Sequence, residues 1–446
     1  MLLDQSDINM NSHLSRRRFL KTSAAVAAAT TLPEWFIEES RAADATPSGT
    51  DGPTIGLIGC GGMGRNDAKL ASKFGRVIAV CDLDDSHIAE AKKQWPDATG
   101  YKDFRKLLEH KGLDVVICGT VDHWHTFVSM AAMRAGKDVY CEKPLTLTID
   151  EGKHLIETAR RTKRILQAGT QQRSEKNFRL ACELVQNGRI GKVKHATVFL
   201  PAGRREGPFQ PSPVPAGFDW DFWMGQTPKV DYVKERTHVT FRYWWDYSGG
   251  TMTDWGAHHN DIVLWGLGLE RSGPVEVEGK PLVEMIPGGF TAASEYEVSY
   301  KYANGVTHTC KSTTADTWSG GVADKNGQHN GIRFEGSDGW IWVRRGALEA
   351  SNPEMITEPL PSSAKRLYVS NDHMGNFFEC VRTGKQPICD VEIGHRSASV
   401  CHIGVISIRL ARKLTWDPIK EHFVGDLDAN KWLAREQRKP FTYDMV

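Results

Sequence analysis

No C-x-x-C pair occurs among the nine cysteines of this 446-residue chain, so neither a cysteine zinc site nor a dithiol redox motif is indicated. The odd count argues against a full disulfide framework. Neither sign of charge prevails. With 56 Lys and Arg against 55 Asp and Glu, the formal net charge is +1, and no electrostatic case exists for nucleic acid or a membrane surface. No apolar run is long enough to span a bilayer, so no stable membrane anchor is expected. Internal repeats and long low-complexity segments are missing too. What remains is 40% hydrophobic and 25% charged residues, ordinary for a globular protein, in a chain long enough for at least two cores.

At the N-terminus, Ser15-Arg16-Arg17-Arg18-Phe19-Leu20-Lys21 precedes an alanine-rich, mildly apolar stretch, Thr22–Leu32. This resembles a twin-arginine signal, against the alternative of a plain basic tail. It predicts the twin-arginine machinery as a partner and a periplasmic or otherwise exported destination. Residues 1–45 are expected to stand outside the fold, with cleavage after Ala42, Ala43 or Ala45.

Residues 46–170 alternate strands with helices and predict a doubly wound parallel α/β sheet of the Rossmann type. The apolar runs Val77–Val80, Val115–Cys118, Val139–Cys141 and Ile165–Ala168 read as parallel strands, with helices near Arg65–Lys73, Ser86–Gln94, Phe104–His110, His125–Ala135 and Ile149–Arg161. Thr148 and Glu151 make a capping box for the last of these. After the run Thr54–Gly59 comes Gly59-Cys60-Gly61-Gly62-Met63-Gly64. Alone that pattern is weak; preceded by a strand, followed by a helix and then by Asp82 about 20 residues on, it reads as a pyrophosphate turn with an acid for the ribose hydroxyls. Gly59 permits the tight turn, Gly61 the close approach of backbone to pyrophosphate, and Gly64 the packing of helix on strand. Asp82 favours NAD over NADP, because a 2′-phosphate would be repelled.

Residues 171–446 predict an α/β domain with a large, mostly antiparallel sheet, built from stretches such as Val193–Leu200, Tyr296–Tyr302 and Ile332–Val343, with helices at Ser174–Gln186 and near Met374–Thr383. Pro201–Gly250 is rich in Pro, Gly and Trp and reads as loops around a cleft. The tail from Lys413 is charged and aromatic and suits a surface wrap. On a helix starting near Thr251, residues Asp254, His258 and Asp261 share a face. An ordinary imidazole pKa near 6.5 would suit His258 to take a hydroxyl proton, with Asp254 orienting it. Lys143, in Glu142-Lys143-Pro144 at a strand end, would stabilise the alkoxide, its own pKa lowered by an oxidised nicotinamide. A buried structural acid–histidine pair, or a metal held by His258 or His259 with Asp254 or Asp261, remain alternatives; no metal is expected.

The glycine turn, Glu142-Lys143-Pro144, the D-x-x-x-H pair Asp254/His258, and His373-Met374-Gly375-Asn376-Phe377 leading to Gly384-Lys385-Gln386-Pro387 together resemble the Gfo/Idh/MocA oxidoreductases, over roughly Thr54 to Arg412. The resemblance implies that Lys143 and His258 are catalytic, with Asp254 binding substrate or supporting His258. It places Gly62, Met63, Thr120, His125 and Glu142 at the cofactor and Arg173 at the substrate, and it suggests a homo-oligomer, dimer or tetramer. One departure is visible: Thr120-Val121-Asp122-His123-Trp124-His125 stands where the family often has T-P-x-x-x-H, which predicts a looser turn. Trp220, Trp223, Trp244, Trp245 and Trp255 suit the apolar faces of sugar rings, Trp244 being counted as a substrate contact, although any one of them can equally fill a gap between loops. Arg204, Arg205 and Arg242 suit hydroxyls or an acid group, or simply the surface. The expected chemistry is hydride transfer at a secondary alcohol of a sugar, sugar acid or cyclitol, with NAD tightly held. A glycosidase working through transient oxidation, elimination, hydration and reduction, and a non-catalytic sugar or nucleotide binder, are the alternatives.

Overall fold

The computed structural model of the chain describes residues 32–41, 52–314 and 330–446. Six parallel strands form the first sheet: β1 (Thr54–Ile58), β2 (Arg76–Cys81), β3 (Thr99–Tyr101), β4 (Val115–Cys118), β5 (Asp138–Cys141) and β6 (Leu166–Ala168), in the order β3-β2-β1-β4-β5-β6. The order reverses between β1 and β4, which opens a crevice at the strand carboxyl ends. Val115–Cys118 is buried at every position, as strands covered on both faces must be. Only β3 escaped expectation, because its three residues are exposed or half-buried and carry no apolar run.

The second sheet has nine strands in the order β13-β12-β11-β7-β10-β9-β8-β14-β15, where β7 is Val193–Leu200, β8 Glu276–Pro281, β9 Tyr296–Lys301, β10 Thr307–Ser312, β11 Gly331–Gly336, β12 Trp340–Arg344, β13 Ala347–Ala350, β14 Lys413–Asp417 and β15 His422–Phe423. All neighbours run antiparallel except β7 and β10. The stretch Ile332–Val343 is thus a hairpin of two strands. One face of the sheet buries Ala196, Val198, Cys310, Ile332 and Phe334 in the larger core.

Among the helices, α1 is Glu34–Arg41, α2 Gly62–Ala71, α3 Asp85–Gln94, α4 Phe104–Leu108, α5 Asp122–Arg134, α6 Ile149–Thr162, α7 Lys176–Gln186, α8 Thr251–Asp254, α9 Gly256–Gly266, α10 His373–Thr383 and α11 Val391–Leu410. The capping box forms by half. Thr148 Oγ1 accepts from Glu151 N at 3.3 Å, but the Glu151 carboxylate turns to Leu147 N and Thr126 Oγ1. The 20-residue α11 left no amphipathic stripe because it is buried along nearly its whole length between the two sheets.

One segment expected outside the fold, and one expected to wrap its surface, are built into it. Phe36 of α1 is fully buried in the larger core with the Arg179 guanidinium 4.2 Å from its ring, and Trp35 Nε1 donates to Thr357 O. The expectation that all of residues 1–45 stand apart therefore fails for this helix; the twin-arginine run and Ala42, Ala43 and Ala45 lie outside the described residues. The C-terminal tail adds β14 and β15 to the sheet and then crosses to the first domain, where Tyr443 stacks on Phe127 at 5.1 Å and Phe441 meets Trp124. All nine cysteines are free and buried. A fold without disulfides can be completed in a reducing compartment before export.

Candidate active site

A cavity of about 340 Å3 runs along the crevice of the parallel sheet. Its floor is the glycine turn. Gly59 has φ +89°, and a Cβ there would sit 2.5 Å from the Gly119 carbonyl, so two strand-end turns meet backbone to backbone. A Cβ on Gly64 would lie 1.9 Å from Gly59 O, the contact that lets α2 pack on β1. Gly61 and Gly62 differ. No atom lies within 4 Å of a Cβ built at either, and both line the cavity. The N-terminus of α2, begun at Gly62 and bare of any side-chain cap, directs its free N–H groups there. Space at the turn, free donors and a following acid fit a dinucleotide pyrophosphate.

Asp82, at the end of β2, accepts from Cys60 N at 2.7 Å and Asp84 N at 3.0 Å and touches His87 Nδ1 at 3.2 Å. These contacts fix its carboxylate at the cavity wall. Of the ten expected cofactor residues, Gly59, Gly61, Gly62, Met63, Asp82, Thr120, Glu142 and Lys143 line the cavity. Gly64 lies beneath the turn. His125 does not reach the wall: its ring nitrogens lie 2.7 Å from Pro144 O and 3.1 Å from Thr120 O, so it clasps two strand-end turns together. Its assignment to the cofactor is corrected to support of the turns that touch it. Asp122, which accepts from Ser248 Oγ at 2.5 Å, pins the same turn from the other side, and the turn is not loose despite lacking proline.

Lys143 and Asp254 meet across the domains as a close ion pair, their side chains 13% and 18% exposed, and Arg242 Nε reaches the same carboxylate at 3.3 Å. Burial disfavours the Lys143 ammonium, but Asp254 and Glu142 outweigh it and hold its pKa above the ordinary value. The expected lowering presumed an oxidised nicotinamide alongside; in the protein alone two carboxylates set the opposite direction. Burial likewise disfavours charge on Asp254, and Lys143 and Arg242 overcome it, leaving its pKa lowered. Behind them Glu142 accepts from Gln171 Nε2 at 2.7 Å, and burial raises its carboxyl. Burial and Glu142 push the neighbouring Asp67 carboxyl well up.

The helix expected from Thr251 is two consecutive segments, α8 and α9, joined at Trp255. The three residues placed on its face part company. Asp254 pairs with Lys143 and Arg242 rather than with His258. Asp261 is fully buried and takes both Nε (2.7 Å) and Nη2 (2.8 Å) of Arg173. His258 is buried, and its Nδ1 has no partner among the described residues. Burial, Lys143 and Arg345 push its pKa well below the ordinary imidazole value, so 6.5 is too high and the ring is neutral at neutral pH. His259 is held by the Gln172 amide at 3.2 Å and by Asn330, a structural tether.

Arg173 was expected at the substrate. It is 1% exposed, held by two hydrogen bonds to Asp261, and stacked 5.0 Å from the Trp265 ring, which makes it a core ion pair instead. Trp244 is also displaced: its Nε1 donates to Glu235 O and Arg236 lies 3.9 Å over its ring, in a pocket separate from the main cavity. Trp223 alone of the five tryptophans lines the cavity. Phe218, Phe241, Arg242 and His238 complete its cover from the loop region. Only loop folding brings these four over the crevice; of them the sequence singles out Arg242 alone, and no local pattern announces Phe218, Phe241 and His238.

A 3-2-1-4-5-6 parallel sheet with a pyrophosphate turn, roofed by a second domain that contributes a carboxylate to a cavity lysine, defines a two-domain dinucleotide-binding oxidoreductase architecture. The chain belongs to the Gfo/Idh/MocA family. Residues 54–170 match the oxidoreductase family's NAD-binding Rossmann fold, and residues 197–443 match its C-terminal alpha/beta domain. Residues 13–33 match the twin-arginine translocation signal, which marks the protein for export and ends where α1 begins. No helix among the described residues is long and apolar enough to cross a membrane. The chain is 28% identical to a myo-inositol 2-dehydrogenase of Thermotoga maritima over 232 residues, 52% of this chain and 59% of that protein. It is 30% identical to a glycosyl hydrolase family 109 protein of a Shewanella species over 207 residues, 41% of this chain and 45% of that one. The chain thus spans less than two thirds of the length of these curated relatives. In fold it is similar to the WlbA dehydrogenase from Bordetella pertussis, solved with NADH and UDP-GlcNAcA, with a TM-score of 0.63 at 17% identity over 82% of this chain and 99% of that one.

Proposed function

We propose that the protein is an exported NAD-dependent oxidoreductase that exchanges a hydride with a secondary alcohol of a sugar, sugar acid or cyclitol, and that it keeps its dinucleotide between turnovers. The observation that carries this reading is the Lys143–Asp254 ion pair at the wall of a cavity floored by the glycine turn; His258 does not line that cavity, and its part rests on the Lys143 charge lying near enough to depress its pKa. A bound nicotinamide supplies hydride exchange. Lys143 donates a hydrogen bond to the reacting oxygen and stabilises its negative charge. Asp254 and Arg242 fix the lysine in place. His258, kept neutral by burial and by nearby cations, accepts the hydroxyl proton at neutral pH. Asp82 disfavours a 2′-phosphate, which supports NAD over NADP. Retention follows from the roof: Phe218, Trp223, Phe241 and Arg242 cover the cavity, and free NAD is scarce outside the cytoplasm. The half-exposed face of the second sheet, with Thr197, Thr309 and Arg333, is the surface this reading assigns to a dimer or tetramer.

The experiment is native mass spectrometry of the exported protein before and after incubation with a sugar library, reading bound nucleotide and its redox state. Protein that carries no nucleotide, or whose nucleotide never changes redox state, refutes the proposal. The glycosidase scheme draws support from the family 109 relative. Aglycone release from a nitrophenyl glycoside, without consumption of added NAD, is the result it requires.

A further inference from the structure

Asp84, His87 and His238 bring three metal-ligating side chains together at the edge of the cavity, with one ligand atom from each lying within 4.8 Å of the others. None of the three has a part in the chemistry above. Asp84 and His87 belong to the start of α3 in the first domain, and His238 to the loop region of the second. His238 Nε2 lies 3.4 Å from Asp84 Oδ2, and the two imidazole rings are 4.6 Å apart. With zinc–nitrogen and zinc–oxygen bonds of about 2.0–2.1 Å, two ligands on one tetrahedral ion lie roughly 3.3–3.5 Å apart, so the Asp84–His238 edge is already at coordination spacing.

Two further features point the same way. Asp82 Oδ2 sits 3.2 Å from His87 Nδ1, which places a proton on that nitrogen and makes Nε2 the atom that the neutral ring would offer a metal. A carboxylate behind a histidine in this manner is the usual outer partner of a metal-bound imidazole. His238 also holds φ +54°, in the left-handed region that histidine adopts more readily than most residues, and from there its ring reaches Asp84. The charge of a divalent cation is balanced by Asp84 and Asp82 when both imidazoles are neutral.

We propose that Asp84 Oδ2, His87 Nε2 and a His238 ring nitrogen bind one divalent transition-metal ion of the zinc class, which fastens the roof of the cavity to the first domain. Three protein ligands leave a fourth position for water or a ligand hydroxyl, and both histidines line the cavity. The binding claim is independent of the oxidoreductase reading; only the effect on nucleotide release rests on it.

Cobalt(II), added to the purified, chelator-treated full-length protein, reports on the site through its visible absorption. The expected result is saturation at one equivalent with the intensity of a tetrahedral site, competed away by zinc. His238→Ala removes an exposed ligand, and Asp84→Asn preserves the cap that Asp84 gives Ser86 N while removing the anionic ligand. Each is expected to weaken binding at least tenfold without changing the far-ultraviolet dichroism. In wild type alone, zinc is expected to slow release of bound nucleotide at least tenfold. Absence of one-equivalent binding, or equal binding by both variants, overturns the proposal. Normal binding with unchanged nucleotide release removes the fastening role.

Discussion

Replacing Asp254 with Asn tests the centre of the site. The substitution keeps shape and removes one charge. Lys143 and Asp254 are 13% and 18% exposed, so water screens their attraction little. Breaking a buried pair by removing one partner costs about 3–5 kcal/mol. The low end applies here, because Lys143 keeps Glu142 as a neighbour and can shed its proton. About 3 kcal/mol of stability should therefore be lost in the nucleotide-free protein, read by urea unfolding. The kinetic loss should be larger in consequence. With Asp254 gone, burial dominates at Lys143 and its pKa falls, and the ammonium loses the carboxylate that aims it. Loss of one preorganised donor to a developing oxyanion costs about 10²–10³ in kcat. The assay is single-turnover reduction of bound nucleotide, followed at the absorbance of the reduced nicotinamide across pH, with nucleotide content measured in parallel. A variant that is fully loaded, with kcat within threefold of wild type and an unshifted alkaline limb, would show that the Lys143–Asp254 pair is not part of the chemistry.

Asp261→Asn strips the buried Arg173 of its partner and should destabilise the fold by about 3–5 kcal/mol while leaving the KM of the folded fraction unchanged; a large rise in KM with normal stability would return Arg173 to the substrate. Burial depresses the pKa of His123, His308 and His402 to about 3 and of His259 and His373 to about 4. The unfolded chain binds these protons near pH 6.5, so the stability they confer is complete above that value and is lost as pH falls toward 4, by roughly 1.4 kcal/mol per histidine for each pH unit. Melting temperature should be flat near pH 7–8 and drop steeply below 6; a flat profile to pH 5 contradicts the assignment. His258 is lowered too, so the acid limb of kcat/KM should fall below 6.5, and a midpoint at 6.5 or above would mean that another group is being titrated. Intact-mass measurement of the exported protein should find an N-terminus upstream of Trp35, and Phe36→Ala should cost about 3–5 kcal/mol. A mature chain beginning after Ala42 with unchanged stability would show that α1 is dispensable.

Local patterns carried most of the first domain. β1, β4 and the glycine turn are read directly from period and spacing, because contiguous residues bind one face of a ligand. The segment around His258 shows the boundary of such reading. Helical spacing put Asp254, His258 and Asp261 together, but Asp254 pairs with Lys143, Asp261 pairs with Arg173, and His258 feels the charges of Lys143 and Arg345, all distant in sequence or on other elements. Spacing on one helix says which side chains share a face; it says nothing about which cation waits opposite. The tryptophans mislead for a related reason: Arg236 beside Trp244 and Arg435 beside Trp245 turn them into packing.

By itself, the order of residues determined the fold class, the pyrophosphate turn, the acid after β2 and the export signal, since each rests on short-range geometry or on a linear address. Tertiary structure alone decided that α1 belongs to the core, that Arg173 is structural, and that His258 stays neutral. Burial and the sign of neighbouring charge govern those three outcomes, and both are properties of the assembled fold, set by residues far apart along the chain.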